Sequence, residues 1–117
     1  MEEQLQTLLD DALSCPVKWG FFSDGESLPR VSIFRMSGGR EHCLDGLGLM
    51  RGTIQIDCWG KTYAEAITAS RVVRTALEGY AGGAIQGAFL TVIRDGFSDD
   101  ADAAHRVSLT FAITYRD

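Results

Sequence analysis

Several functional classes are excluded by what this sequence lacks. Three cysteines, Cys15, Cys43 and Cys58, fall at no paired spacing, which argues against a disulfide framework and for reduced thiols in a cytoplasm. The opening MEEQLQTLLDDAL has neither the positive start nor the apolar run of a secretory signal. No apolar stretch approaches the ~20 residues needed to cross a bilayer, so the expectation is a protein with no membrane partner. Basic residues are scarce: eleven Lys and Arg stand against sixteen Asp and Glu, giving a net charge of -5. They form no cluster able to neutralise a run of phosphates, which speaks against tight DNA binding. An acidic surface remains compatible with DNA that slides past without adhering.

Reactive constellations are equally scarce. No Gly-x-Ser-x-Gly elbow exists, and no Ser or Cys stands with a histidine and an orienting acid. Glycines 38, 39, 46 and 48 form neither a dinucleotide fingerprint nor a phosphate loop. His42 beside Cys43, with Cys58 elsewhere, lacks the two-residue ligand spacing and the fourth ligand of a zinc site. Asp95, Asp99, Asp100 and Asp102 depart from a calcium loop and lack its terminal glutamate, which leaves a solvated turn as the simpler reading. The expectation is no enzyme, no cofactor and no metal.

What is present is a foldable chain. Its 117 residues, 45% apolar and 23% charged, suit one domain over 1–117 that buries roughly two-thirds of its unfolded surface. Leu5, Leu8, Leu9, Ala12 and Leu13 recur three and four apart, which predicts an amphipathic helix from Glu2 that ends before Cys15 and Pro16. VKWGFF (17–22) predicts a short strand followed by a turn cluster, and RVSIFRM (30–36) a second. Ile54, Ile56 and Cys58 alternate with Gln55, Asp57 and Trp59 in a third strand broken by Gly60. Thr62 and Glu65 form a capping box that starts a helix at Tyr63, with Glu65 expected to bond back to the N–H of Thr62. Along that helix Tyr63, Ala66, Ile67, Ser70, Val73 and Leu77 share a core face, and Gly79 is placed to stop it. Arg74 sits at the edge of that face, with Asp57 as a partner to test.

AFLTVIRD (88–95) and HRVSLTFAITYR (105–116) complete the set, joined by a connection short enough for a hairpin. The order α-β-β-β-α-β-β predicts an α+β fold: an antiparallel or mixed sheet of about five strands with two helices on one face.

Three features address something outside the subunit. SGGREHCLDGLG, Ser37 to Gly48, reads as a long glycine-rich loop suited to external contact. Trp59, outward by phase, is the kind of aromatic that anchors interfaces. Ala69, Val72 and Ala76 line a second side of the helix, as if to receive another packing partner.

The combination of LDGLG, GTIQIDCWGKTYAEA and VVRTALEGY with a hairpin ending in FAITYR resembles the tail-completion, or tail-terminator, family of tailed bacteriophages and gene transfer agents. The resemblance extends over most of the chain, and its most specific part is the passage from QIDCW through Gly60 into TYAEA. It implies a structural virion protein of the neck, made in the bacterial host cytoplasm. Such a protein forms a homo-oligomeric ring, expected to be a hexamer, that terminates the tail tube and joins it to a head-tail connector or stopper protein. DNA would pass the lumen without specific binding. The residues implied at the oligomer or tube interface are Gly38, Gly39, Arg40, Glu41, His42, Leu44, Trp59 and Val72. The polar GGREH and the free Cys58 depart from the family pattern. The alternative of another class is a small α+β ligand-binding or regulatory dimerisation domain without catalysis.

Overall fold

The computed structural model describes residues 2–20, 30–43, 46–97 and 105–116. In chain order the elements are α1 (Glu2–Ala12), β1 (Val17–Trp19), β2 (Arg30–Cys43), β3 (Gly46–Gly60), α2 (Tyr63–Leu77), β4 (Ile85–Phe97) and β5 (His105–Tyr115). The strands form one sheet in the order β1-β2-β3-β5-β4. β1 joins β2 in parallel and every other pair is antiparallel. The fold is therefore α+β with a mixed sheet, in the predicted order of elements. Because β5 inserts between β3 and β4, α2 carries the chain across it before β4 takes the edge.

Alternation decides which face is covered. Val31 and Ile33 of β2, Ile54, Ile56 and Cys58 of β3, and Val107, Leu109, Phe111 and Ile113 of β5 are all at most 1% exposed. They share one core with Leu5 and Leu9 of α1 and with Ala66, Ala69, Val73 and Leu77 of α2. Both helices thus lie on the same side of the sheet, as a single apolar phase requires.

The β3-to-α2 junction explains the stretch that breaks the strand pattern. A Cβ on Gly60 would lie 2.7 Å from both the Ala66 nitrogen and Glu65 Cβ, so only glycine lets the strand end lie against the first turn of the helix. Thr62 Oγ1 accepts from the Glu65 N–H at 3.2 Å, as the capping box predicts. Glu65 Oε2, however, accepts from the N–H of Lys61 at 2.8 Å, one residue earlier than expected, because the tight approach at Gly60 brings Lys61 nearer. At the far end Gly79 has φ 75° and donates its N–H to the Ala88 carbonyl at 2.8 Å, fastening the helix end to β4.

α1 is fastened by side chains as well as by its leucines. Gln4 Nε2 donates to the Gly82 carbonyl at 2.8 Å while its Oε1 accepts from the Ala84 N–H at 3.0 Å. Gln6 Nε2 donates to the Val17 carbonyl at 2.8 Å. These polar groups bridge elements that are distant in sequence, which periodicity does not reveal.

Four further expectations change. Residues 37–43 and 46–48 are strand, not loop: β2 and β3 pair from Arg30↔Trp59 to Cys43↔Gly46, with irregularities between Arg35 and Ser37 and between Arg40 and His42. The pairing satisfies backbone groups that glycines would otherwise leave to solvent, so the glycine content marks bulged strands. β1 stops at Trp19, because Gly20 takes φ 89°; residues 21–29, with the rest of that predicted strand and its turn, lie outside the described residues. Tyr63 is 45% exposed and donates its hydroxyl to Asp95 of β4 at 2.9 Å. Asp57 does not pair with Arg74: its Oδ1 accepts from Ser108 Oγ at 2.7 Å and from Gln55 Nε2 at 2.9 Å. The turn predicted after β4, residues 98–104, also lies outside the described residues.

Gly60→Ala is expected to lower unfolding free energy by about 1–3 kcal/mol, since the clash is with backbone that cannot swing aside. Denaturant titration of the two proteins measures it. Gln4→Ala should also destabilise, by about 1–3 kcal/mol, through the Ala84 N–H it leaves without its acceptor.

Candidate functional site

The structure does not gather the residues singled out in the sequence into one place. Gly38 pairs with Gly52, Gly39 with Arg51, Arg40 with Met50 and His42 with Leu47. Glu41 falls in the irregularity between Arg40 and His42. Leu44 and the side chains of residues 40–42 lie outside the described residues. β5 ends opposite Met50, so beyond that point β2 and β3 run on as a two-stranded arm. The molecule is accordingly long, 53 Å against 24 and 22 Å across. Trp59 lies thirteen residues along β3 from the far end of the arm at Gly46, roughly 40 Å away at strand rise. Val72 is on α2, in the helical layer.

Trp59 is half-buried, and the pairing register gives the reason. Arg30 of β2 and Arg106 of β5 flank it on the same sheet face. Their guanidinium carbons lie 5.8 and 5.4 Å from its ring centroid. Two cations over one indole cover part of the apolar surface expected from phase alone.

The face that carries Trp59 is the one opposite the helices, and no described element packs on it. Cross-strand rows run Arg30, Trp59, Arg106; then Ser32, Asp57, Ser108, Arg94; then Phe34, Gln55, Thr110, Val92; then Ser37, Thr53, Ala112, Phe89; then Gly39, Arg51, Thr114. Lys18 of β1 extends the second row. Lys18, Arg30, Arg51, Arg94 and Arg106 are therefore on one face, and among the described residues Asp57, 4% exposed, is its acid. A chain of negative net charge has a basic sheet face. On the same face Phe89 is 59% and Val92 38% exposed, both on the edge strand β4. The shared phase of Arg51 with Trp59, and of Arg106 with Ser108 and Thr110, carried this signal in the sequence; net charge concealed it.

The helical side is different in shape and sign. Between the end of α1 and the start of α2 lies an apolar groove of about 390 Å³ lined by Ala12, Leu13, Cys15, Ala64, Ala69 and Val72. Ala69 is buried, so the stripe of small residues finds part of its packing partner in α1 of the same chain. Val72 stays half-exposed on the groove. Asp11 of α1 is exposed next to Ala12, and Glu65 lines the rim; Asp10 accepts instead from Gln6 Nε2.

The remaining reactive groups offer little chemistry. Burial foremost, with Cys15 and Asp57 nearby, raises the Cys58 thiol far above its ordinary range, so its thiolate is scarce and it packs as a small apolar chain. Cys15, half-buried, is raised by the same cause, partly offset by a backbone hydrogen bond. His105 lies edge-on to Tyr63 at 6.1 Å between centroids. Among the described residues no three His, Cys, Asp or Glu side chains are placed to hold a metal ion, and no helix is long and apolar enough to cross a membrane.

A sheet with one helix-covered face, one basic face on which no described element packs and a projecting arm defines a small α+β subunit with contrasting surfaces. The description of the family Tail completion protein gp17 matches residues 3–116, and the chain belongs to that family. It is thereby a structural protein of a phage-type tail and a component of the virion. A chain in the solved virion of a native gene transfer agent particle has the same fold, with a TM-score of 0.70 at 18% identity, over 97% of this chain and 84% of that one. No curated protein matches the chain.

In the folded protein Cys58 is expected to resist a thiol reagent at mildly alkaline pH and to react once denaturant is added, with Cys15 labelled at an intermediate rate. Peptide mass spectrometry of time points distinguishes the two sites.

Proposed function

We propose that this protein forms a ring that terminates the tail tube and joins it to the head connector, acting by shape and surface with no catalytic step. Membership of the tail-completion family supports the reading. One geometric observation carries it further: the subunit presents separate surfaces at its two ends and on its two faces. The arm at one end, with Glu41 and His42 on it and Gly38, Gly39 and Arg40 at its base, suits contact with the tube or with a neighbouring subunit, and Leu44 is proposed for the same contact. The Arg30, Trp59, Arg106 end, roughly 40 Å along the strands from the far end of the arm, suits a second partner such as the connector. Val72, on the helical groove, suits a copy of the same chain. A hexamer is the ring we expect. DNA would traverse its lumen without specific recognition.

Mixing the purified protein with its tube protein should give a complex of several copies of this subunit per tube end, seen by light scattering and by electron microscopy. A protein that stays monomeric alone and with the tube at every concentration would overturn the reading. Trp59→Ala should reduce assembled particles by about tenfold or more, as expected for a central aromatic contact, while circular dichroism of the monomer stays native. Full particle yield from that variant would remove Trp59 from the interface.

A further inference from the structure

We infer that neighbouring copies dock head to tail, the β4 edge of the basic sheet face on one copy entering the α1/α2 groove of the next. The inference rests on the ring-forming reading and assigns the surfaces that would make the ring. Phe89 and Val92 are large apolar side chains on the outer face of β4, exposed by 59% and 38%. Arg94 follows them two residues past Val92, in the row of Ser108, and is exposed. Arg51 lies on the same face, one row beyond Phe89. The projection is therefore apolar at its centre and cationic at its flanks.

The groove has the reciprocal character. Its lining from Ala12 to Val72 is mostly apolar, with Ser14 and Thr68 among it, its volume of about 390 Å³ has room for an aromatic and a branched aliphatic chain, and its acids are Glu65 on the lining and the exposed Asp11 next to Ala12 on α1. Apolar centre against apolar centre removes surface from water, while the rim charges set register and exclude wrong partners.

Position argues for a second copy as the occupant. α1 packs on β1 at one edge of the sheet, and β4 is the other edge. The projection and the groove thus lie on opposite faces of the sheet, the projection at the β4 edge and the groove on the α1 side of α2. Two different, mutually complementary patches make a heterologous contact, which leaves one patch free on each pair and closes only when copies complete a ring. Phe89 would then occupy the groove near Cys15 of the next subunit, and Arg94 would face Asp11.

Charge exchange tests the assignment, because both residues are exposed and their replacement leaves the core intact. Arg94→Glu alone and Asp11→Arg alone should each weaken self-association, measured with tube protein present, by about tenfold; the double variant should recover it. Independently, Phe89→Cys should give an oxidative cross-link between copies that disappears when Cys15→Ser is added. If wild type and both single variants assemble equally, the surface assignment fails and the ring reading stands. If the single variants fail and the double variant does not recover, these surfaces meet another component, such as tube protein or DNA, and the inference is overturned. A wild-type protein that never associates overturns both.

Discussion

The close approach of backbone at Gly60 is the constraint on which the rest of the subunit depends. β3 is the centre of the sheet, pairing with β2 on one side and β5 on the other, and it ends where α2 begins. With no Cβ at position 60, the helix turns back immediately over the strand it has left. That places Ala66, Val73 and Leu77 on the apolar phase of β3 and β5, and it directs the chain across β5 to the far edge. A wider connection would move α2 away from this core, and the groove it shares with α1 would not form.

Once one face is sealed by the helices, the other face inherits every polar phase in the strands. Its character was not chosen strand by strand. Register brings Arg30, Trp59 and Arg106 together from three strands, and it brings Ser108 and Gln55 to Asp57 so that this carboxylate lies buried yet hydrogen-bonded. A buried carboxylate without such donors would be costly. The same register leaves Phe89 and Val92 on the unshielded edge strand, where a monomer gains nothing from them. The division into a basic sheet face and an acid-bordered helical groove thus follows from alternation, not from composition.

Regular periodicity and local caps made much of the architecture readable. Both helices, the order of elements and the α+β class followed from the leucine spacing of α1, the Thr62 cap and the strict alternation from Val107 to Tyr115. Glycine misled where it was frequent. Between Ser37 and Gly48 its content suggested a loop, yet residues 37–43 and 46–48 belong to the paired strands β2 and β3, which run on into an arm. Tyr63 misled for a related reason: its helical phase pointed to the core, but at the first turn it lies past the covered part of the sheet and reaches Asp95 instead.

By itself the sequence determined which stretches are helix and strand, which side of each is apolar, and the family resemblance that the match over residues 3–116 established; these are matters of nearest neighbours and short periods. The tertiary structure alone decided that the residues singled out for an interface are dispersed among an arm and its base, a sheet end and a helical groove, and that cations distant in sequence share one face. Strand order and register fix such neighbourhoods. They depend on how every strand is satisfied at once, which no single stretch of sequence specifies.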